Sequence, residues 1–99
     1  MILMREVVLK KSSNPNKKYD AYVEGKKVSF GATGYSDFTQ HKDTERKQRY
    51  ITRHKANENW NDLTTAGAWS KGILWNKPSI RESIKSMESK FNIDIKYKK

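Results

Sequence analysis

Cysteine is absent from this 99-residue sequence, which excludes disulfide bonds, zinc–thiolate sites and thiol nucleophiles. Proline occurs only twice, and no apolar run approaches the roughly 18–20 residues that span a bilayer. The opening stretch MILMREVVLK is charged from Arg5 onward, too early for a signal peptide. These absences predict an intracellular protein without a membrane partner.

Acidic residues are scarce relative to basic ones: 11 against 21, for a net charge of +10. Hydrophobic residues make up only 34% of the chain, but Trp60, Trp69 and Trp75 provide large apolar groups to bury. The length allows one core, so we expect a single small basic domain over 1–99. The positive charge is spread along the chain, and its usual partners are nucleic acid, an anionic membrane or an acidic protein.

The first half of the sequence predicts β-structure. A strand is expected in 1–10, with Val7, Val8 and Leu9 buried, before a loop around Pro15. Residues 18–31 alternate on both sides of a turn at Gly25, which is typical of a β-hairpin. The connector, defined as residues 31–38 (GATGYSDF), then leads into helical sequence.

Three helices are predicted in the second half. Residues 39–58 contain good helix formers and neither Gly nor Pro. A second helix is expected in NDLTTAGAWSKGILWN, where Leu63, Ala66, Trp69 and Ile73 fall at helical spacing, with Asn61 or Asp62 as its cap.

The third helix follows Pro78, with Ser79 and Glu82 in a capping-box pattern. Its apolar stripe comprises Ile80, Ile84, Met87 and Phe91. The alternating segment NIDIKY predicts a short C-terminal strand that joins the N-terminal sheet. The predicted fold is α+β: an N-terminal antiparallel β-hairpin or sheet, three helices and a short C-terminal strand.

On a continuous helix over 39–58, four basic residues share one stripe: Lys42, Arg46, Arg49 and Arg53. Such stacking of like charges is unfavourable in an isolated helix, so it indicates a surface for phosphates. The other interpretations are a solvated face, or arginines paired with acids from other elements.

The opposite side of that helix would carry Asp43, Tyr50, Ile51, His54 and Glu58. His54 and Glu58 stand one turn apart, a spacing that suits metal ligands or an acid–base pair. The competing interpretation is a structural pair beneath Trp60. A third ligand is lacking, so we predict no metal, no cofactor and no catalytic residue.

The connector lacks the spacing of a phosphate-binding P-loop. Gly31 and Gly34 are expected at positive φ. Tyr35 and Phe38 are either core residues or platforms for nucleic-acid bases.

Further cations extend the predicted nucleic-acid surface. Four are placed on a sheet edge and its loop: Lys10, Lys11, Lys17 and Lys18. If the last two helices form a helix-turn-helix, Arg81 and Lys85 would enter a DNA groove.

The strings FGATGYSDFT, RYITRHKANENW and LWNKPSIRESI resemble a family of small basic proteins encoded by nucleocytoplasmic large DNA viruses, the giant viruses. The resemblance extends over nearly the whole chain. The family has no assigned activity, so the resemblance implies a viral, intracellular setting: genome organisation, a replication or transcription factory, or virion assembly.

The sequence thus predicts a non-enzymatic protein that binds nucleic acid, DNA in preference to RNA, mainly through the phosphate backbone. One alternative is a structural protein of the virion that binds an acidic viral protein, with exposed tryptophans as anchors. A second alternative is a small metal-dependent nuclease using His41, Asp43, His54 and Glu58.

Overall fold

Four β-strands form one mixed sheet in the order β3-β2-β1-β4, with the helices between β3 and β4 in sequence. The structure, a computed structural model, describes residues 5–98. The strands are β1 (Arg5–Lys11), β2 (Lys17–Val23), β3 (Lys26–Ala32) and β4 (Ile93–Lys98). The α+β class, the hairpin and the predicted strand after the last helix are confirmed. Residues 1–4 of the predicted first strand lie outside the described residues.

The pleat of the sheet explains which side chains are buried. Val7 and Leu9 of β1 lie opposite Val23 and Ala21 of β2, and all four are buried on one face. The intervening Val8 is only half-buried, because it lies on the other face. The prediction of three consecutive buried residues was therefore wrong at its middle position.

The C-terminal strand pairs in parallel with β1, placing Ile95 beside Val7. Strand β1 is consequently an interior strand with a neighbour on each side. The placement of Lys10 and Lys11 on a sheet edge was wrong, since both belong to the end of β1.

The predicted helix over 39–58 is two helices, α1 (Phe38–His41) and α2 (Thr44–Lys55). Asp37 caps α1 in a capping box with Gln40. Lys42 then takes a left-handed conformation with φ 57°, which ends α1. The Asp43 carboxylate accepts hydrogen bonds from the first backbone N–H groups of α2, so a new helix begins there.

The next helix, α3 (Ala66–Trp69), continues as a π-helical turn over Ser70–Leu74. Its cap is Thr65, whose hydroxyl accepts from the Ala68 N–H at 3.2 Å. The prediction of a cap at Asn61 or Asp62 was wrong. Asp62 instead accepts from the backbone N–H and hydroxyl of Thr64, which closes a turn before the helix.

Helix α4 (Ile80–Phe91) begins where the sequence predicted it. The Ser79 hydroxyl accepts from the Glu82 N–H at 3.1 Å. Ile84 and Met87 are buried, and Ile80 and Phe91 pack against the same core, as the apolar stripe predicted. Helix α4 thus covers the inner face of the sheet.

The core is centred on Trp69, which is fully buried and stacks on Phe30 at 6.1 Å between ring centroids. Its indole N–H donates to the Leu63 carbonyl at 2.8 Å. Pairing that polar atom with a carbonyl allows the largest apolar side chain to be buried at low cost.

Asp20 is buried on the outer face of the sheet and accepts from the hydroxyls of Ser12 and Ser29 at 2.7 and 2.6 Å. Burial disfavours the ionised form, but these hydrogen bonds and the Ser13 N–H outweigh it and lower the pKa of the carboxyl. The charged aspartate thereby ties the loop after β1 to β2 and β3.

Candidate nucleic-acid interface

Three arginines of α2 form an exposed basic ridge, which we define as Arg46, Arg49 and Arg53. Only Arg49 has a carboxylate nearby, Glu45 at 3.9 Å, and both side chains are largely in solvent. A pair this long and this exposed contributes little, so the ridge keeps its positive field. A shallow depression of about 430 Å³ lies along it, with Arg49, Arg53 and Thr52 in its lining.

Lys42 does not belong to this ridge. The predicted stripe assumed one helix, but Lys42 lies in the break between α1 and α2. Its ammonium group donates to the Thr39 carbonyl at 3.1 Å, which anchors it to α1. Lys42 remains exposed, so it adds charge to the surface without following the helical register of the arginines.

The inward side of α2 carries an aromatic stack. Tyr50 lies parallel to Trp75 at 4.4 Å and stacks on His54 at 4.1 Å. Burial raises the pKa of the Tyr50 phenol to about 12, so this group stays neutral. The stack holds α2 to the π-helical turn, which confirms the core-facing prediction for Tyr50.

The predicted partners of His54 are not on one helix with it in the predicted way, although Glu58 and His54 line the same depression. Asp43 caps α2, and Glu58 lies beyond its end, where it accepts from the Trp60 indole N–H at 2.8 Å. His54 Nδ1 contacts the Tyr50 carbonyl at 2.9 Å. The one-turn spacing assumed for His54 and Glu58 was wrong, because the helix ends at Lys55.

Within residues 5–98, no group of three or more His, Asp and Glu side chains is placed to hold a metal ion. His41 and His54 are on different helices. The same described segment contains no helix long and apolar enough to cross a membrane.

The predicted lysines of the sheet differ in availability. Lys10 and Lys11 are exposed, and the Lys10 ammonium lies over the Tyr22 ring. Lys17 is half-buried. Lys18 is not available for phosphate, because its ammonium is 2.5 Å from the Asp37 carboxylate and both side chains are nearly buried.

Arg81 and Lys85 of α4 are exposed and flank the face that buries Ile84 and Met87. They are accessible to a polyanion. The preceding α3, however, has a single α-turn before the π-helical turn, unlike the first helix of a helix-turn-helix.

A depression of about 980 Å³ lies between the connector and the adjoining ends of β1, β2 and β4. We call it the connector cleft. Lys18 forms its base by donating to the Tyr35 carbonyl at 2.6 Å and to Asp37. The lining comprises Lys11, Lys17, Lys18, Tyr19, Thr33, Gly34, Tyr35, Ser36, Asp37, Thr39, Gln40, His41, Tyr97 and Lys98.

Aromatic side chains give this cleft much of its surface. Tyr35 is 75% exposed, whereas Phe38 is buried, so only one of the two predicted platforms faces solvent. Tyr19 and Tyr97 meet edge to face at 6.4 Å. Burial, reinforced by Tyr97, raises the pKa of Tyr19, so the Tyr19 phenol stays neutral.

His41 also lines the cleft and has one unused polar atom. Its Nδ1 accepts from the Asp43 N–H at 2.9 Å, so the neutral ring carries its proton on Nε2. That Nε2 is buried and has no hydrogen-bond partner in the described structure. Burial, followed by the nearby Arg46, lowers the pKa of His41 and favours the neutral ring.

Tyr97 and Lys98 were missed because they are distant in sequence from the connector. His41 was considered only as a residue of the nuclease alternative. The alternation of NIDIKY did place Tyr97 on the face of Ile93 and Ile95. Only the pairing of β4 with β1 brings it to the cleft.

Residues 7–54 match the model of a family of unknown function (DUF5754). The match covers just under half of the chain, from β1 to the end of α2, and includes the ridge and most of the cleft. No curated protein and no solved structure matches the chain.

Proposed function

We propose that this protein is a non-enzymatic nucleic-acid-binding protein that contacts mainly the phosphate backbone. The observation that carries the proposal is the large excess of cations without carboxylate partners. In the described segment, salt bridges within 4.0 Å involve only Arg5, Lys18, Arg49 and Lys96. The other lysines and arginines of that segment have no carboxylate within this distance, and four of the lysines lie over aromatic rings: Lys10, Lys47, Lys71 and Lys90.

The ridge suits phosphate binding for two reasons. Arginine offers a planar fork of donors that matches phosphate oxygens. Arg46, Arg49 and Arg53 are also presented by a helix that the Tyr50–Trp75 stack holds in place, so little order has to be gained on binding. Lys10, Lys11, Arg81 and Lys85 add long-range attraction.

We further propose that its setting is the one that the resemblance to giant-virus proteins implies, with DNA as the partner and the viral factory or virion as the location. A basic domain that neutralises phosphates fits genome organisation, which requires binding at many sequences.

The test is a titration of duplex DNA, single-stranded DNA and RNA at two salt concentrations. The variant Arg46→Ala/Arg49→Ala/Arg53→Ala should weaken binding to every sequence alike. It should also reduce the slope of log K against log salt by about three, one for each phosphate contact. Thr44→Ala, exposed at the start of the same helix and outside the lining of the depression along the ridge, is the control and should change neither quantity.

If the arginine variant keeps the wild-type affinity and salt slope, and circular dichroism shows that it is folded, the ridge does not bind nucleic acid. A stable complex with an acidic protein and weak salt dependence would support the alternative partner instead. Of the three tryptophans considered as anchors for that partner, Trp69 is buried, whereas Trp60 and Trp75 are half-buried and keep part of their surface exposed. Cleavage of DNA that requires Mg²⁺ or Mn²⁺ would support a nuclease.

A further inference from the structure

We propose that the connector cleft binds an unpaired nucleotide, so that this protein prefers single-stranded nucleic acid to a duplex. The inference rests on the proposed function and adds a second site, separate from the ridge. It depends on three features that occur together in the cleft: an exposed aromatic face, an unused hydrogen-bond donor and unpaired cations.

The aromatic face is Tyr35. Tyr35 is 75% exposed on the wall of the cleft, and it is the one large hydrophobic side chain of the described residues that is left exposed. Its backbone is fixed by the hydrogen bond from Lys18. A held ring with a free face can stack on a base of any sequence.

The donor is the Nε2–H of His41. This N–H is buried without a partner, which costs free energy, and an acceptor would recover that cost once a shift of the half-buried His41 ring opens Nε2 to the cleft. Base carbonyls and ring nitrogens are such acceptors, and they are free to accept only when the base is unpaired.

The cations are Lys11, Lys17 and Lys98, which line the same cleft. Among the described residues of the lining, the carboxylate is that of Asp37, which Lys18 neutralises, so it does not oppose a phosphate. A nucleotide therefore meets positive charge for its phosphate and an aromatic surface for its base.

A base that is paired in a duplex cannot enter the connector cleft. In a duplex the base is stacked on both faces and its acceptors are engaged, so it would have to leave the helix to reach Tyr35 and His41. A base in a single strand has no such obstacle. The cleft should therefore discriminate by strandedness, whereas the ridge should bind both forms.

The test measures binding of a short oligothymidylate, an oligouridylate and a duplex to Tyr35→Ala. The side chain is exposed, so the variant should fold. We expect about tenfold weaker binding of both single strands, within the range found when a stacking aromatic is replaced by alanine, and an unchanged duplex affinity. Tyr35→Phe should retain wild-type binding, because it keeps the ring.

Two further variants complete the design. Tyr22→Ala removes a tyrosine from the opposite face of the sheet and should change nothing. His41→Asn retains an acceptor for the Asp43 N–H but loses the Nε2 donor, and it should also weaken single-strand binding selectively.

If Tyr35→Ala binds all three ligands like the wild type, or loses affinity for all three equally, the cleft proposal is wrong while the ridge can still stand. If the triple arginine variant binds like the wild type while Tyr35→Ala binds single strands more weakly, the ridge proposal fails and the cleft proposal still stands. The two failures are thus distinguishable.

Discussion

The ammonium group of Lys18 lies 2.5 Å from the carboxylate of Asp37, joining β2 to the residue that caps α1. Their side chains are 16% and 4% exposed. The same ammonium donates to the Tyr35 carbonyl and to the Gln40 side chain at 3.2 Å. One lysine therefore fixes the connector, the start of α1 and the base of the cleft.

Breaking this pair should destabilise the protein. Lys18→Ala leaves a nearly buried carboxylate without its cation, so the free energy of unfolding should fall by about 3 kcal/mol. A double-mutant cycle with Asp37→Asn, measured by urea denaturation, should show a combined loss smaller than the sum of the two single losses. The control is Lys96→Ala, which breaks an exposed pair with Asp94 and should have no measurable effect. Additive losses would show that the pair is not coupled.

Alanine at the two glycines of the connector should have unequal costs. Gly31 and Gly34 both have positive φ, as predicted, so each substitution strains the backbone by about 1 kcal/mol. A Cβ at Gly34 meets open space, but one at Gly31 would lie 2.7 Å from Leu74 Cδ1. Gly31→Ala should therefore cost about 2–4 kcal/mol in total. Equal losses of thermal stability would contradict the packing at Gly31.

The break between α1 and α2 predicts that glycine at Lys42 stabilises the protein. Because Lys42 has φ 57°, Lys42→Gly should relieve strain and raise the free energy of unfolding by about 0.5–1 kcal/mol. In an unbroken helix the same change would cost about 1 kcal/mol. Arg49→Gly, in the middle of α2, should show that cost. If Lys42→Gly and Arg49→Gly both lowered the free energy of unfolding, the result would support one unbroken helix and contradict the break at Lys42.

His41 should make the stability depend on pH. Burial and the neighbouring Arg46 and Lys18 lower its pKa, against the opposing pull of Asp43 and Asp37. The folded state then binds fewer protons than the unfolded state, so stability falls as the pH drops below about 6.5, the ordinary histidine pKa. ¹⁵N NMR at pH 7 should show a neutral ring protonated on Nε2. An imidazolium signal at that pH, or a proton on Nδ1, would refute the assignment.

Local patterns predicted much of the fold. The alternation around Val28 and Phe30 and the stripe from Ile80 to Phe91 gave the hairpin and α4, because each pattern reflects contact with one core. The helix break at Lys42 was not predicted, because the residues on both sides favour helix and the two capping residues, Asp37 and Asp43, were not recognised as caps. The Asp37–Gln40 capping box and Asp43 could have revealed it.

The site was less accessible to sequence reasoning. The helical register of the sequence predicted that the arginines of α2 share one face. It could not predict that Lys18 is neutralised, because its partner Asp37 lies 19 residues away in the sequence. The cleft similarly depends on Tyr97, which reaches Tyr19 only through the parallel pairing of β4. Contacts between elements distant in sequence leave no periodic signature in either one.

Because β1 pairs with β4, the sheet can be completed only after the last strand has been synthesised. Arg5 lies beside Ile93, so one side of β1 has no partner until β4 has been synthesised. Until then β1 is an open edge bearing Val7 and Leu9, available for pairing with another chain. Such long-range closure is slow compared with formation of the hairpin or of α4. A nascent chain that stalls before Ile93 would thus expose an aggregation-prone strand, and a chaperone would be needed longest at this edge.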